Sequence, residues 1–173
     1  MELLMVITII GITTAMAVFQ AQTALPSIHA DSGMRVVVAQ LNTARALAIS
    51  ERRNIEVDFV GTSVVQLVRH DIPNGTTVLS AIPFEYRVQF MQFSGVPDTP
   101  DAFGANGPVD FGNASTIMFT SDGTLIDQSG VPLNGTVFLG IADHVQSARA
   151  VTILGATGRI RGYRWNGVQW SER

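Results

Sequence analysis

The chain has no cysteine and no lysine among its 173 residues. Without cysteine there is no disulfide scaffold, no thiol nucleophile and no thiolate metal site. All 11 basic side chains other than histidine are arginine, and this holds along the whole chain, so it reads as composition rather than recognition. Also missing are G-x-S-x-G, H-E-x-x-H and any glycine motif that cradles phosphate. His29, His70 and His144 are far apart in sequence and suggest surface or interface positions rather than a ligand set. These absences point away from an enzyme, and neither a cofactor nor a metal is expected. The last absence is local: from Leu3 to Ala30 there is no Asp, Glu, Lys or Arg.

That uncharged stretch is what the rest of the chain is organised around. Leu3 to Ile12 is apolar except for Thr8 and Gly11. As a helix, Leu3 to Phe19 extends roughly 25 Å, just short of the hydrocarbon core of a bilayer. Glu2 sits at its very edge, where a carboxylate is expensive to bury and usually marks a function or awaits a partner. In the lipid headgroup layer it would simply complement the positive end of the helix dipole. In a bundle of like helices it would pair with a neighbour's cation. A secretory signal peptide is the rival reading, since Ala15-Met16-Ala17 resembles a cleavage site, but no positive charge precedes the apolar run.

Glu2-Leu3-Leu4 followed by Val6-Ile7-Thr8-Ile9-Ile10-Gly11-Ile12 resembles the N-terminal helix of type IV pilins and of the pseudopilins of type II secretion. The resemblance implies a helix held in the bacterial inner membrane and then packed among its neighbours in a filament. It also implies a glutamate that sets subunit register and, in that family, a methylated N-terminus. No leader and no Phe precede Glu2, so by this resemblance the chain begins inside the family's mature helix.

The rest suits one compact domain. Charge is uneven: residues 54–143 carry two Arg against ten acids, and residues 144–173 five Arg against Glu172 alone. Pro26 and Gly33 predict a kinked or interrupted helix, with Asp31 or Ser32 capping a restart. Met34, Val37, Val38, Leu41, Ala44, Leu47 and Ala48 then recur at helical spacing, with Arg35, Asn42, Arg45 and Arg52 on other faces, which predicts an amphipathic helix lying on a sheet. From Asn54 the pattern becomes alternation, and strands are expected at Ile55–Val60, Val64–Arg69, around Tyr86–Phe90, Ile117–Phe119, Val137–Ile141, around Val151–Ile153, and Arg159–Trp165. Four Asn-Gly pairs, at Asn74, Asn106, Asn134 and Asn166, predict tight hairpin turns and hence antiparallel pairing. Ser94 to Gly112 is a long Gly/Pro-rich loop, and its Asp98, Asp101 and Asp110 read as solvated acids rather than a calcium loop. Ala44 to Phe59 resembles the helix-to-first-strand junction of H-type minor pseudopilins and FimT-type minor pilins.

The tail carries the remaining candidate. In regular alternation Arg159, Arg161, Tyr163 and Trp165 share one face of a strand, with Ile160, Gly162 and Arg164 on the other. Guanidiniums neutralise phosphate and aromatics stack on bases, so Arg159, Arg161, Tyr163, Arg164 and Trp165 form a candidate DNA-binding set. Gly158-Arg159-Ile160-Arg161 resembles the G-R-x-R motif of FimT-type minor pilins, which bind DNA during transformation. The competing reading is structural: arginine stems beside aromatics covering a sheet edge, or pairing with a neighbour's acidic middle.

The expectation is therefore an α+β, pilin-like protein, with a long N-terminal helix packed on antiparallel sheets in a small sandwich-like domain. Residues 1–30 form the membrane or filament core, 31–53 the amphipathic half of the helix, and 54–173 the β domain. The partners expected are other pilins or pseudopilins, the inner membrane before assembly and, in the alternative reading, DNA. The globular part is expected in the periplasm. A secreted periplasmic binding protein is the distant alternative.

Overall fold

A computed structural model describes the backbone of residues 2–173 and the side chains of all of these except 2, 4 and 15–23. A single helix, α1, runs from Glu2 to Glu51, which at 1.5 Å per residue is about 75 Å long. Eleven strands follow: β1 Ile55–Val60, β2 Val64–His70, β3 Thr76–Pro83, β4 Gln89–Phe90, β5 Val109–Asp110, β6 Ile117–Phe119, β7 Leu125–Asp127, β8 Gly135–Ile141, β9 His144–Leu154, β10 Arg159–Trp165 and β11 Trp170–Glu172. They form two antiparallel sheets. The first has the order β3-β2-β1-β6-β7, the second β11-β10-β9-β8-β4, and β5 also pairs with β8. This is the expected α+β architecture, a long N-terminal helix followed by antiparallel sheets.

The expected interruption of the helix is absent. Pro26 lies inside α1, where proline removes one hydrogen-bond donor, and the turns that follow are fixed by packing instead. Gly33 is a contact point rather than a break. A β-carbon there would come within 2.7 Å of Val88 Cγ1 and 3.1 Å of Leu139 Cδ1, so its bare backbone lets α1 press against the second sheet. Gly162 does the same from the sheet side, beneath the Met34 sulfur at 3.1 Å.

Below Ala30 the helical periodicity acts as read. Val37, Leu41, Ala44 and Ala48 are fully buried, facing Ile55, Val57, Val65 and Leu67 of the first sheet and Val137, Leu139, Val151 and Ile153 of the second. Every residue of β8 is buried, because α1 covers one face of its sheet and a second apolar cluster covers the other. That cluster contains Phe138, Ala148, Ala150, Tyr163, Trp165 and Trp170, with Phe93 and, from the long loop, Val96 and Ala105 packed on it.

Two of the four Asn-Gly pairs make the expected turns. Gly75 (φ 119°) links β2 to β3, and Gly167 (φ 101°) links β10 to β11, where Asn166 Oδ1 accepts from the N–H groups of Val168 and Gln169. Asn134-Gly135 instead opens β8: Asn134 Oδ1 accepts from Gly155 N–H, and the ring of Phe111 occupies the space where a Gly135 β-carbon would be. The strand expected from Tyr86 shrinks to Gln89–Phe90, because Tyr86 (φ 56°) and Arg87 (φ 64°) are both left-handed and cannot continue a ladder.

The helix is tied to the second sheet by a buried cation. Arg149 of β9 has no exposed surface. Its Nε donates to Asp31 Oδ1 at 2.5 Å, its Nη2 to the Ser27 carbonyl and hydroxyl at 2.9 and 2.8 Å, and its Nη1 to the carbonyls of Gln146 and Ala148 at 3.0 and 2.9 Å. Asp31 is thus a mid-helix ion-pair partner, not the cap of a restarting helix. Arg164 adds a bond to Ser27 Oγ at 2.9 Å and approaches Asp31 Oδ2 at 3.8 Å. Burial pulls the Arg149 guanidinium below its ordinary range, and the hydrogen bond and charge of Asp31 oppose this. Removing one member of a buried pair leaves the other uncompensated. Arg149→Ala is expected to lower unfolding stability by about 3 kcal/mol, measured by urea denaturation of the full chain; a loss below about 1 kcal/mol, the worth of a surface pair, would refute the anchoring role.

Candidate functional site

Two features stand out from the folded body: the bare end of α1 and the basic strand β10. From Leu3 to Thr14 every side chain whose exposure is described is open to its surroundings, including Leu3 at 78%, Ile7 at 62% and Ile12 at 59%. Met5, Val6, Ile7, Ile9, Ile10 and Ile12 advance by about 100° per residue and so surround the helix. A helix that is apolar all round requires burial in lipid or among other helices. The threonines adapt to this by bonding inward: Thr8, Thr13 and Thr14 hydroxyls donate to the carbonyls of Met5, Ile9 and Ile10 at 2.8, 3.0 and 2.7 Å. Among the described residues no helix is long and apolar enough to cross a membrane. The side chain of Glu2 lies outside the described residues, so the structure does not report on its proposed register role.

Strand β10 has the expected bounds, and its two faces are as expected, but only one end of the candidate set is free. Arg159 is exposed. Arg161 is half-buried, with Nη1 on Asp101 Oδ1 at 2.9 Å and Nε near Glu172 Oε1 at 3.3 Å. Tyr163 and Trp165 are 3% and 6% exposed, and Trp165 meets Trp170 edge-on at 5.4 Å. Their rings are packed under the long loop and are not open for base stacking. Arg164, on the opposite face, is occupied with Ser27 and Asp31. The set therefore does not come together as one nucleic-acid surface: arginine stems and aromatics cover the sheet, as the structural reading of this strand expected.

The loop explains this. Its acids are not the solvated groups expected: Asp110 is buried, Asp98 and Asp101 are half-buried, and each organises backbone or side-chain donors. Asp98 accepts from Thr99 N–H at 2.6 Å and Gly104 N–H at 3.1 Å. Asp110 accepts from Asn106 N–H and Nδ2 at 2.8 and 3.0 Å and from Gly112 N–H at 2.9 Å. Asp101 reaches across to the sheet, accepting from Thr152 Oγ1 at 2.6 Å, Tyr163 OH at 2.9 Å and Arg161 Nη1. Trp170 Nε1 donates to the Pro97 carbonyl at 2.9 Å. The three carboxylates serve three separate sets of donors, and among the described residues no group of three His or acidic side chains is placed to hold a metal.

Sequence reading missed Asp101 and Arg149, the two residues that fasten the loop and the helix to opposite faces of one sheet. A signal for Arg149 was present: it is the single charge in the otherwise uncharged and mostly apolar run Ala148 to Ile153. For Asp101 there was none, since its partners lie 51 and more positions away.

No protein-family model matches the chain, and no curated protein does. Among solved structures it is similar to the crystal structure of the type IV minor pilin FimU of Pseudomonas aeruginosa. The match covers 82% of this chain and 91% of that one, with 16% identity and a TM-score of 0.53. The likeness establishes a type IV pilin-like fold.

Burial pushes the Asp101 carboxyl up, but hydrogen bonds from Thr152 and Tyr163 and the charge of Arg161 outweigh it and hold the group below the usual carboxylate range. Its contribution is then complete above the unfolded-state value of about 4 and is lost as pH falls through the lower folded value. Both tryptophans of the chain sit in the cluster beneath the loop. Acidification is therefore expected to loosen the loop and shift tryptophan emission to the red, and Asp101→Asn to produce part of that shift already at pH 7. Emission identical in wild type and Asp101→Asn at pH 7 would show that the carboxylate does not hold the loop.

Proposed function

We propose that the chain is a minor pilin or pseudopilin subunit of the H/FimT branch, assembling into a type II secretion pseudopilus or a type IV pilus. The observation that carries this reading is the exposed, all-round apolar end of α1 projecting from a folded domain of pilin-like architecture. Before assembly the bare helix sits in the inner membrane, with the β domain in the periplasm. Incorporation replaces burial in lipid by burial among neighbouring helices, which is near-neutral in apolar area and leaves packing and polar contacts to decide position. Glu2 supplies the polar contact: once inside the bundle its carboxylate requires a cation, and registers that leave it unpaired are penalised. The chemistry is that of assembly rather than catalysis.

A second reading, a DNA-receptor pilin for DNA uptake, draws on one observation. Arg159 is exposed and has no salt-bridge partner among the described residues. Its support is narrower than the sequence suggested, because Arg161, Tyr163, Arg164 and Trp165 are engaged within the fold.

Glu2→Ala is expected to reduce recovery of the subunit in sheared filament fractions at least about tenfold, a modest part of the cost of an unpaired buried charge. Membrane levels of the subunit would stay unchanged. Wild-type incorporation of the variant would rule out the register role. For the second reading, titration of duplex DNA with the full chain in detergent at 50 mM and 200 mM salt discriminates: salt-sensitive binding weakened in Arg159→Ala supports contact with phosphate, and no binding at the lower salt dismisses it.

A further inference from the structure

The first sheet does not close along its whole length. β2 pairs with β1 over all of Ile55–Val60, but β6 pairs only with Ile55 and Glu56. Antiparallel partners exchange hydrogen bonds at alternate residues. The His70 N–H donates to the Asn54 carbonyl, so Glu56 and Asp58 direct their backbone groups to β2, and Phe59 directs its N–H and C=O the other way. Among the described residues no strand pairs with Phe59 on that side, since pairing with β6 stops at Glu56. The chain ahead of β6 turns away instead, with Ala114 N–H donating to the Phe111 carbonyl.

The result is a cleft of about 600 Å³, walled by Val57 to Thr62 on one side and Ala114 to Ile117 on the other. Phe90 and Phe111 line it, and Phe59 packs on both, edge-on to Phe90 at 5.4 Å and stacked on Phe111 at 6.0 Å. Asp58 is the one charged residue among the described residues lining it. Glu56 beside it is engaged by His70 Nε2 at 2.7 Å. Asp58 has no cation within salt-bridge distance among the described residues; burial, then the charge and hydrogen bond of Glu56, push its carboxyl up, and the more distant His70 opposes this. An open strand edge, an aromatic lining and a carboxylate with no direct salt bridge together describe a receptor for one kind of occupant.

We propose that this cleft takes an extended segment of a partner polypeptide as an added strand, hydrogen-bonded to β1 at Phe59, with an apolar side chain on Phe90 and Phe111 and an arginine or lysine against Asp58. Strand addition draws affinity from main-chain bonds and specificity from the pockets that alternate side chains enter. The four residues Val57 to Val60 span about 13 Å, so the docked segment is short. With Ala114 to Ile117 opposite it, the edge is shielded from the open-ended pairing that exposed edges invite. A neutral apolar molecule would leave Phe59 and Asp58 unanswered, and an acidic segment would be repelled. The proposal concerns a face of the β domain remote in sequence from the apolar helix end, and it stands whether or not the chain enters a filament.

The test uses the full chain in detergent, ¹⁵N-labelled, and three capped nine-residue peptides: alternating valine and arginine, the same with glutamate for arginine, and the valine–arginine peptide N-methylated at alternate residues. The first peptide is expected to bind and slow hydrogen exchange at the Phe59 amide. The glutamate peptide should bind roughly fivefold more weakly and the N-methylated one should not bind. Asp58→Asn should abolish the charge preference and Asp58→Arg reverse it. Absence of binding, an unchanged Phe59 amide, equal binding of the N-methylated peptide, or a preference for arginine that survives Asp58→Arg would each overturn the proposal.

Discussion

A guanidinium with no access to water is the constraint on which the structure turns. Arg149 enters the interior between α1 and the second sheet, and its charge has to be met there by Asp31, by Ser27 and by two carbonyls of its own strand. These partners are directional, so they select one rotation and one height of the helix on the sheet. Apolar packing alone would tolerate sliding by a turn, since Val37, Leu41, Ala44 and Ala48 present a repeating stripe. The cation removes that freedom because any other placement strands a buried charge.

With the helix so placed, the second sheet faces apolar material on both sides. α1 covers one face, and the loop from Ser94 to Gly112 covers the other through Asp101, Trp170 and the cluster around Phe138. This explains a central antiparallel strand, β8, that is buried at every residue where one face would ordinarily be solvated. It also explains why the arginines and aromatics of β10 are mostly inward-looking: they are the surface to which the loop is fastened.

The apolar residues thus divide into two populations with opposite fates. Those of α1 beyond Ala30 that face the sheets are buried in the domain, and those described near the start of α1 are left bare by it. The first population builds the core of the domain and the second leaves an apolar end on the same helix. The proposed role as a pilus or pseudopilus subunit calls for both on one continuous helix, and the orientation set at Asp31 governs how the domain is held on that helix.

Much of the fold was legible in order of residues alone. The helix from Met34 onward, β1, β2, β6, β8 and β10 follow from hydrophobic period, because a side chain's face is determined by its position along a regular backbone. The uncharged stretch at the front and its need for an apolar environment are likewise properties of sequence. What the tertiary structure decided were the matters that depend on partners distant along the chain. Pro26 and Gly33 read as a kink or an interruption, but the helix continues through the first and uses the second for close approach to Val88 and Leu139. Asn134-Gly135 read as a turn, yet Phe111 claims its space for a strand. Tyr163 and Trp165 alternate as an exposed recognition face would, and only the arrival of Asp101 from some 60 residues away shows them covered. Local periodicity determines which way a side chain points; whether anything is there to meet it is settled by long-range contacts, which no local pattern encodes.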